Sequence, residues 1–297
     1  MLTYLQAIVI GVLQGVTELF PVSSLGHAVL FPSLFGWNDL VAAQSQPESF
    51  FLAFVVGLHV ATALALLIFF RRDWVRIVSG FFRSIRRRKV ETADERLAWL
   101  LVVATIPAGL TGVALEHALR VIFAKPYAAA SLLILNGLIL FAGERLRRRS
   151  EVRELATQHG AREGDGARRL DTMGYAEAGF IGLAQIFALF AGISRSGITM
   201  VAGLVRGLNH EDAARFSFLL ATPIILAAGL YKLPDLLGPL GSGIRGQVLA
   251  GSLAAGVSAY LSVRFLVKYF ETKNLNPFGV YCVAFGAFML VFLSVTS

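Results

Sequence analysis

The chain has 297 residues, of which 56% are hydrophobic and only 15% charged, and its mean hydropathy is +0.68. That balance excludes an ordinary soluble domain. A formal charge of +8 invites a nucleic-acid reading, but the basic residues sit in loops between apolar segments, which excludes it. The single cysteine, Cys282, lies in the last apolar stretch and leaves no partner for an intramolecular disulfide.

The first apolar region, Leu2–Phe35, is broken by Gly, Pro, Ser and a few ionisable residues. It lacks a basic leader, so no cleaved signal peptide is expected. Phe50–Phe70, Leu97–Leu119 and Pro126–Ala142 follow, each nearly free of charge and close to the roughly 20 residues a helix needs to cross a bilayer. A second interrupted region, Tyr175–Leu208, opens the other half. Three more apolar stretches close the chain: Phe216–Leu230, Val248–Val267 and Pro277–Leu293.

No Lys or Arg precedes Arg71, but nine fall in 71–97 and eight in 145–169. Excess positive charge marks cytoplasmic loops, so both are expected inside. Their orienting role and attraction to anionic lipid account for these arginines without a binding site. Threading outward then makes residues 1–48 begin and end outside. Arg120, Lys125, Lys232 and Arg245 also fall outside, Arg195 lies within the membrane, and the other 22 of the 27 basic residues lie inside. The two interrupted regions must each enter and leave on one side, which makes them re-entrant helical hairpins. Ile10, Gly11, Gln14, Ser23 and Gly26 recur as Ile181, Gly182, Gln185, Ser194 and Gly197, at a constant offset of 171. The expected fold is therefore an all-α polytopic membrane protein with an inverted-topology repeat, six full transmembrane helices and two hairpins that meet near the midplane. Repeat one is 1–143, a basic and mobile linker is 144–172, and repeat two is 173–297.

The first hairpin brings Gln14 and Glu18 to one helix face by their i, i+4 spacing. Pro21 ends that half-helix. Ser23 or Ser24 caps the next, whose free N–H groups suit a phosphate. His27, three residues after Ser24, falls on the same face. Capping alone explains the two serines; nearness to Glu18 and His27 is what raises one to a candidate nucleophile. In the second hairpin Gly192 permits a bend, and Ser194, Arg195, Ser196 and Thr199 follow at a helix start. A guanidinium among hydroxyls and free N–H groups has the donor geometry of a phosphate cradle. Intramembrane charges such as Glu18 and Arg195 cost about 2.5–3.5 kcal/mol to insert and mostly line functional cavities. His59, in a span with no acidic neighbour in sequence, reads as a satisfied membrane histidine that could face the same cavity. Asn136 reads as interhelical adhesive.

Together these hairpins resemble the undecaprenyl-diphosphate phosphatase family, also called the bacitracin-resistance protein family. One family signature is matched by Gln14, Glu18, Pro21, Ser23, Ser24, Gly26 and His27, and a second by Gly192, Ser194, Arg195, Ser196 and Thr199. The resemblance extends to Phe216–Pro223 and to the whole hydrophobic layout. There are three departures. Ala191 replaces the usual proline, Gln14 takes the Gln option and leaves Glu18 as that motif's only carboxylate, and Val55 stands where many members carry an acid.

The resemblance implies release of inorganic phosphate from a C55 isoprenyl diphosphate, which recycles the cell-wall carrier lipid and confers bacitracin resistance. It implies Ser24 as nucleophile and His27 as its proton partner, with His27 as direct nucleophile the rival. Glu18, assisted by Gln14, would hold a divalent cation, Mg²⁺ or Ca²⁺. Arg195 with Gln14, Ser23, Ser194, Ser196 and Thr199 would bind the substrate's phosphates. The expected partners are the polyprenyl diphosphate and membrane lipids, not nucleic acid, with a homodimer left open. The expected location is the bacterial inner membrane, with both termini and the site on the outer side. A flippase of polyprenyl phosphate is the competing reading, because inverted repeats with broken helices also build transporters.

Overall fold

The computed structural model describes residues 2–44, 50–123, 125–157, 170–238 and 243–296. Regular structure among them is helical. The elements are α1 (Tyr4–Thr17), α2 (Ser24–Leu34), α3 (Asn38–Gln44), α4 (Phe50–Phe69), α5 (Arg71–Arg87), α6 (Ala93–Phe123), α7 (Pro126–Thr157), α8 (Tyr175–Gln185), α9 (Arg195–Val205), α10 (His210–Leu237), α11 (Arg245–Phe270) and α12 (Asn276–Thr296). Five stretches are long and apolar enough to cross a bilayer: Ala93–Leu115, Pro126–Arg149, His210–Tyr231, Arg245–Phe270 and Asn276–Thr296. A sixth, Phe54–Phe69, turns through 88° into α5. The chain is an all-α polytopic membrane protein.

Besides the seven-residue α3, four apolar helices among the described residues are too short to cross. α1 has 14 residues and α2, α8 and α9 have 11 each, so they reach only about 16–21 Å at 1.5 Å per residue, against about 30 Å of hydrocarbon. Each short pair is laid against a full span through small residues. α1 runs beside α11 in the same direction, with Gly11 on Gly251 and Gly15 on Ala255 and Ser258, where any methyl at either glycine would collide with backbone. α8 runs beside α6 in the same way. Gly182 lies on Ala104, whose carbonyl accepts from Gln185 Nε2 at 3.4 Å. Small residues let backbones approach closely where lipid offers no hydrophobic drive between helices. α7 and α12 run antiparallel across the two halves, with Gly137 near Gly279 and Gly286 near Ala130. α4 packs on α10.

Two expected loops contain helix. The basic stretch 71–97 begins with the 17-residue α5, which has three faces. Ile77, Gly80 and Ser84 are buried; Gly80 packs on Glu95, and Ser84 Oγ accepts from Trp99 Nε1 at 2.9 Å, both on α6. Val75, Val78, Phe82 and Ile85 form an exposed apolar face, and Arg72, Arg76, Arg83, Arg86 and Arg87 occupy the third. That is the pattern of a helix lying in a membrane interface. The expected linker 144–172 is likewise helical through Thr157, as the end of α7. Residues 158–169, with Arg162, Arg168 and Arg169, lie outside the described residues.

Polar contacts gather the basic segments at one end of the bundle. Asp73 Oδ1 accepts from Arg76 at 2.7 Å and from Arg215 at 2.6 Å. Glu144 Oε1 meets His210 Nε2 at 2.6 Å and the Leu275 amide at 2.8 Å. Asp212 accepts from the Leu170 amide at 3.0 Å. The ends of α4, α7 and α11 and the start of α10 thus share one side.

Candidate functional site

The two hairpins meet where their helices break. α1 stops at Thr17 and α2 starts at Ser24, with Pro21 between. α8 passes through a short 3₁₀ turn, Ile186–Leu189, before α9 starts at Arg195. A Cβ on Gly26 would lie 3.0 Å from Gly192 Cα, and one on Gly197 would lie 3.3 Å from Pro21 Cβ. At an offset of 171 these are two equivalent contacts, one from each repeat. Gly192 has φ 113°, so a side chain there would be both strained and blocked. The N-termini of α2 and α9 therefore converge, and their unpaired N–H groups and dipoles favour an anion between them.

Glu18 is the centre of the junction and only 7% exposed. Its Oε2 accepts from Ser24 Oγ at 2.5 Å and from Gln14 Nε2 at 3.0 Å. Its Oε1 accepts from Arg195 Nη2, of the other hairpin, at 3.0 Å. Arg195 also donates from Nη1 to the Ser217 carbonyl at 3.2 Å, while its buried Nε has no partner. His59, on α4, completes the set. Its Nδ1 donates to the Val55 carbonyl at 2.8 Å, which turns Nε2 to Glu18 at 3.4 Å. Sequence spacing gave no reason to choose His59, since α4 is brought to Glu18 only by tertiary packing. Ser24, Gln14, Thr17 and His27 line a narrow cleft between α1 and α2, walled by Ile10, Leu13 and Phe31.

His27 shares that cleft but does not bond Ser24. Its Nδ1 lies 2.7 Å from the Ser23 carbonyl. A carbonyl can only accept, so Nδ1 carries the proton and Nε2 accepts from Tyr281 O–H at 2.7 Å. The ring stacks with Phe31, Tyr281 and Phe285. Ser23 itself has φ 69°, a conformation that costs a serine on the order of 1–3 kcal/mol. It is held there by His27 and by its own Oγ, which accepts from the Gly26 amide at 3.2 Å and the Gly192 amide at 3.1 Å. His27 thus pins the turn that presents Ser24.

The hydroxyls of the second hairpin are buried and turned inward. Ser194 caps α9 through the Gly197 amide at 3.1 Å, and its Oγ lies 3.0 Å from that of Ser196. Ser196 donates to the Phe20 carbonyl at 3.1 Å. Thr199 Oγ1 lies 2.7 Å from the Arg195 carbonyl and 2.7 Å from Ser217 Oγ. These groups seal the seam between hairpins, and Arg195 is the one that reaches Glu18.

Glu18 and Gln14 are the donors that this junction would offer a divalent cation. Glu18 is the junction's only carboxylate, and both its oxygens already accept from nitrogen or hydroxyl donors. Among the described residues no group of three or more His, Cys, Asp or Glu side chains could hold a metal. Mg²⁺ commonly keeps several waters and is held by one or two carboxylates together with substrate phosphates, so a cation at this junction would be shared with a bound diphosphate.

Fold and junction define a polytopic membrane protein with a charged, hydroxyl-bearing centre buried where two broken helices meet. Comparison with known proteins gives that class a family. The family described as bacitracin resistance protein BacA matches residues 7–288, and the chain belongs to it. An undecaprenyl-diphosphatase of Mycolicibacterium paratuberculosis is 60% identical over 304 residues, covering 99% of this chain and 98% of its own. Undecaprenyl-diphosphatase 2 of Frankia alni is 56% identical over 335 residues, covering 98% of each chain. Undecaprenyl-diphosphatase 2 of Burkholderia ambifaria is 47% identical over 286 residues, covering 95% of this chain and 94% of its own.

Proposed function

We propose that the chain is a membrane phosphatase that hydrolyses undecaprenyl diphosphate to undecaprenyl phosphate and inorganic phosphate. The reaction returns the cell-wall carrier lipid to use and thereby confers bacitracin resistance. The observation that carries this reading is the 2.5 Å bond from Ser24 Oγ to Glu18 Oε2, with Arg195 on the other oxygen of the same carboxylate. A hydroxyl is a weak nucleophile until an adjacent base takes its proton, and Glu18 is that base. Ser24 Oγ attacks the terminal phosphorus, its proton passes to Glu18, and an Oγ–P bond forms. The anhydride P–O bond breaks, and undecaprenyl phosphate leaves with the electron pair. Water then attacks the phosphorus of the phosphoserine, the Oγ–P bond breaks, and Glu18 returns its proton to Oγ as phosphate leaves and Ser24 is restored. Arg195, with a free Nε–H, stabilises the charge on the equatorial oxygens, and the converging helix N-termini add to it. His27 and Ser23 position the nucleophile. A divalent cation that assists would arrive on the diphosphate, neutralising its charge.

The test is phosphate release from C55 diphosphate by the purified protein, with and without chelator. Release is expected, and the protein alone should bind no Mg²⁺ or Ca²⁺. Movement of the lipid across a vesicle membrane without phosphate release would replace the phosphatase with a flippase.

The basic end of the bundle faces the cytoplasm of a bacterial inner membrane in this reading, so both termini and the cleft face outward. In a Cys282→Ala background, impermeant maleimide should label Asn38→Cys and leave Ser150→Cys untouched in intact cells. The reverse pattern would invert the orientation.

A further inference from the structure

Asn136 belongs to neither hairpin, yet it touches the turn of each. It lies on α7 with no exposed surface. Its Nδ2 donates to the Pro21 carbonyl at 3.0 Å, and its Oδ1 accepts from the Ser194 amide at 2.9 Å. Both backbone groups are of the kind a helix break leaves unpaired. Pro21 lies between α1 and α2, and Ser194 is the N-cap of α9, whose own N–H has no acceptor inside that helix. A carboxamide is the side chain that offers a donor and an acceptor a fixed distance apart. Pro21 follows Glu18 by three residues, and Ser194 precedes Arg195 by one. The bridge therefore acts on the two segments that present the carboxylate and the guanidinium.

We propose that Asn136 is a positioning residue for phosphoryl transfer, a bridge that fixes the spacing of the two turns so that Ser24 and Arg195 meet one phosphate. The proposal rests on the phosphatase reading. General adhesion between helices would stabilise the bundle without affecting the chemistry, and the two roles separate by experiment.

Asn136→Leu keeps the side chain's size and removes both turn contacts, together with the 3.3 Å bond from Nδ2 to Cys282 Sγ; Asn136→Ser shortens it. For each, the phosphate-release rate is measured per folded molecule, with the folded fraction taken from thermal unfolding. The expected result is a kcat lowered by about 10- to 100-fold with KM within about threefold, because misplacement on the order of 1 Å costs about that much rate. In an Arg195→Ala background, Asn136→Leu should lower the residual rate by less than about threefold, since no guanidinium remains to be placed. An unchanged kcat per folded molecule would overturn the proposal, and so would an equal loss in both backgrounds. Failure of both variants to accumulate would also overturn it, by making Asn136 a folding residue. Absence of phosphate release by the wild-type protein would instead sink the phosphatase reading on which this one rests.

Discussion

The two hairpins share a backbone plan and divide the chemistry unequally. Each half-helix beyond the break has 11 residues, and their first residues, Ser24 and Arg195, stand at equivalent places in the 171-residue offset. Both converge on Glu18, at 2.5 and 3.0 Å. The equivalent of Glu18 is Leu189, and that of His27 is Ile198. Gln14 turns to Glu18, whereas Gln185 turns away to the Ala104 carbonyl. The caps differ for a covalent reason. Ser23 Oγ accepts from the Gly192 amide, but the mirrored bond from Ser194 would need an N–H on Pro21, which proline lacks. Ser194 Oγ lies instead against Ser196 Oγ and, at 3.5 Å, the Phe20 carbonyl. Duplication of the frame thus supplies two opposed helix N-termini, and divergence places the carboxylate and the Ser24 hydroxyl on one and the guanidinium on the other.

If that division holds, neither half works alone, and breaking the comparison gives the largest effect. Ser24→Ala and Arg195→Ala should each lower phosphate release by about 10³-fold or more, on the scale known for removing a nucleophile or a phosphate-stabilising arginine. The double variant should be hardly worse than either single one, and full additivity would argue for two separate sites. Arg195→Lys should recover little, remaining about 100-fold down, because an ammonium cannot span Glu18 and phosphate as a planar fork does. Part of the loss in Arg195→Ala is indirect, since a buried carboxylate deprived of its cation is left about 3–5 kcal/mol worse off. Glu18→Gln, which removes base and buried charge together, should fold and still lose turnover.

Much of this was legible because apolar length and arginine placement act locally. The spans, the repeat offset and the motif residues are all properties of short windows of sequence. What was hidden depends on partners far away in the chain. His59 meets Glu18 only because α4 packs beside α1 and α11. The Ser24–His27 spacing gave a shared helix face, but a face does not choose a partner, and Tyr281, 254 residues on, takes the imidazole. α5 was read as loop because its arginines dominate its composition. The signal for a helix was present in Val75, Val78, Phe82 and Ile85, which recur every three or four residues.

The smallest effect is expected at the hydroxyls of the second hairpin, and it decides whether they belong to the cradle or the seam. Composition alone favours the cradle, since Ser194, Ser196 and Thr199 flank an arginine at a helix start. Their contacts favour the seam. Ser196 Oγ donates to Phe20 of the opposite hairpin, and Thr199 Oγ1 is shared between the Arg195 carbonyl and Ser217 Oγ, all out of reach of solvent. A hydroxyl already bonded within the protein must break that bond before it can serve a phosphate, and a net hydrogen bond is worth about 0.5–1.5 kcal/mol. Ser196→Ala and Thr199→Ala should therefore lower the thermal midpoint by a few degrees, while kcat and KM stay within about threefold of the parent. A KM raised tenfold or more at an unchanged midpoint would return these hydroxyls to the substrate, and the second hairpin would then contribute a full cradle rather than a single guanidinium.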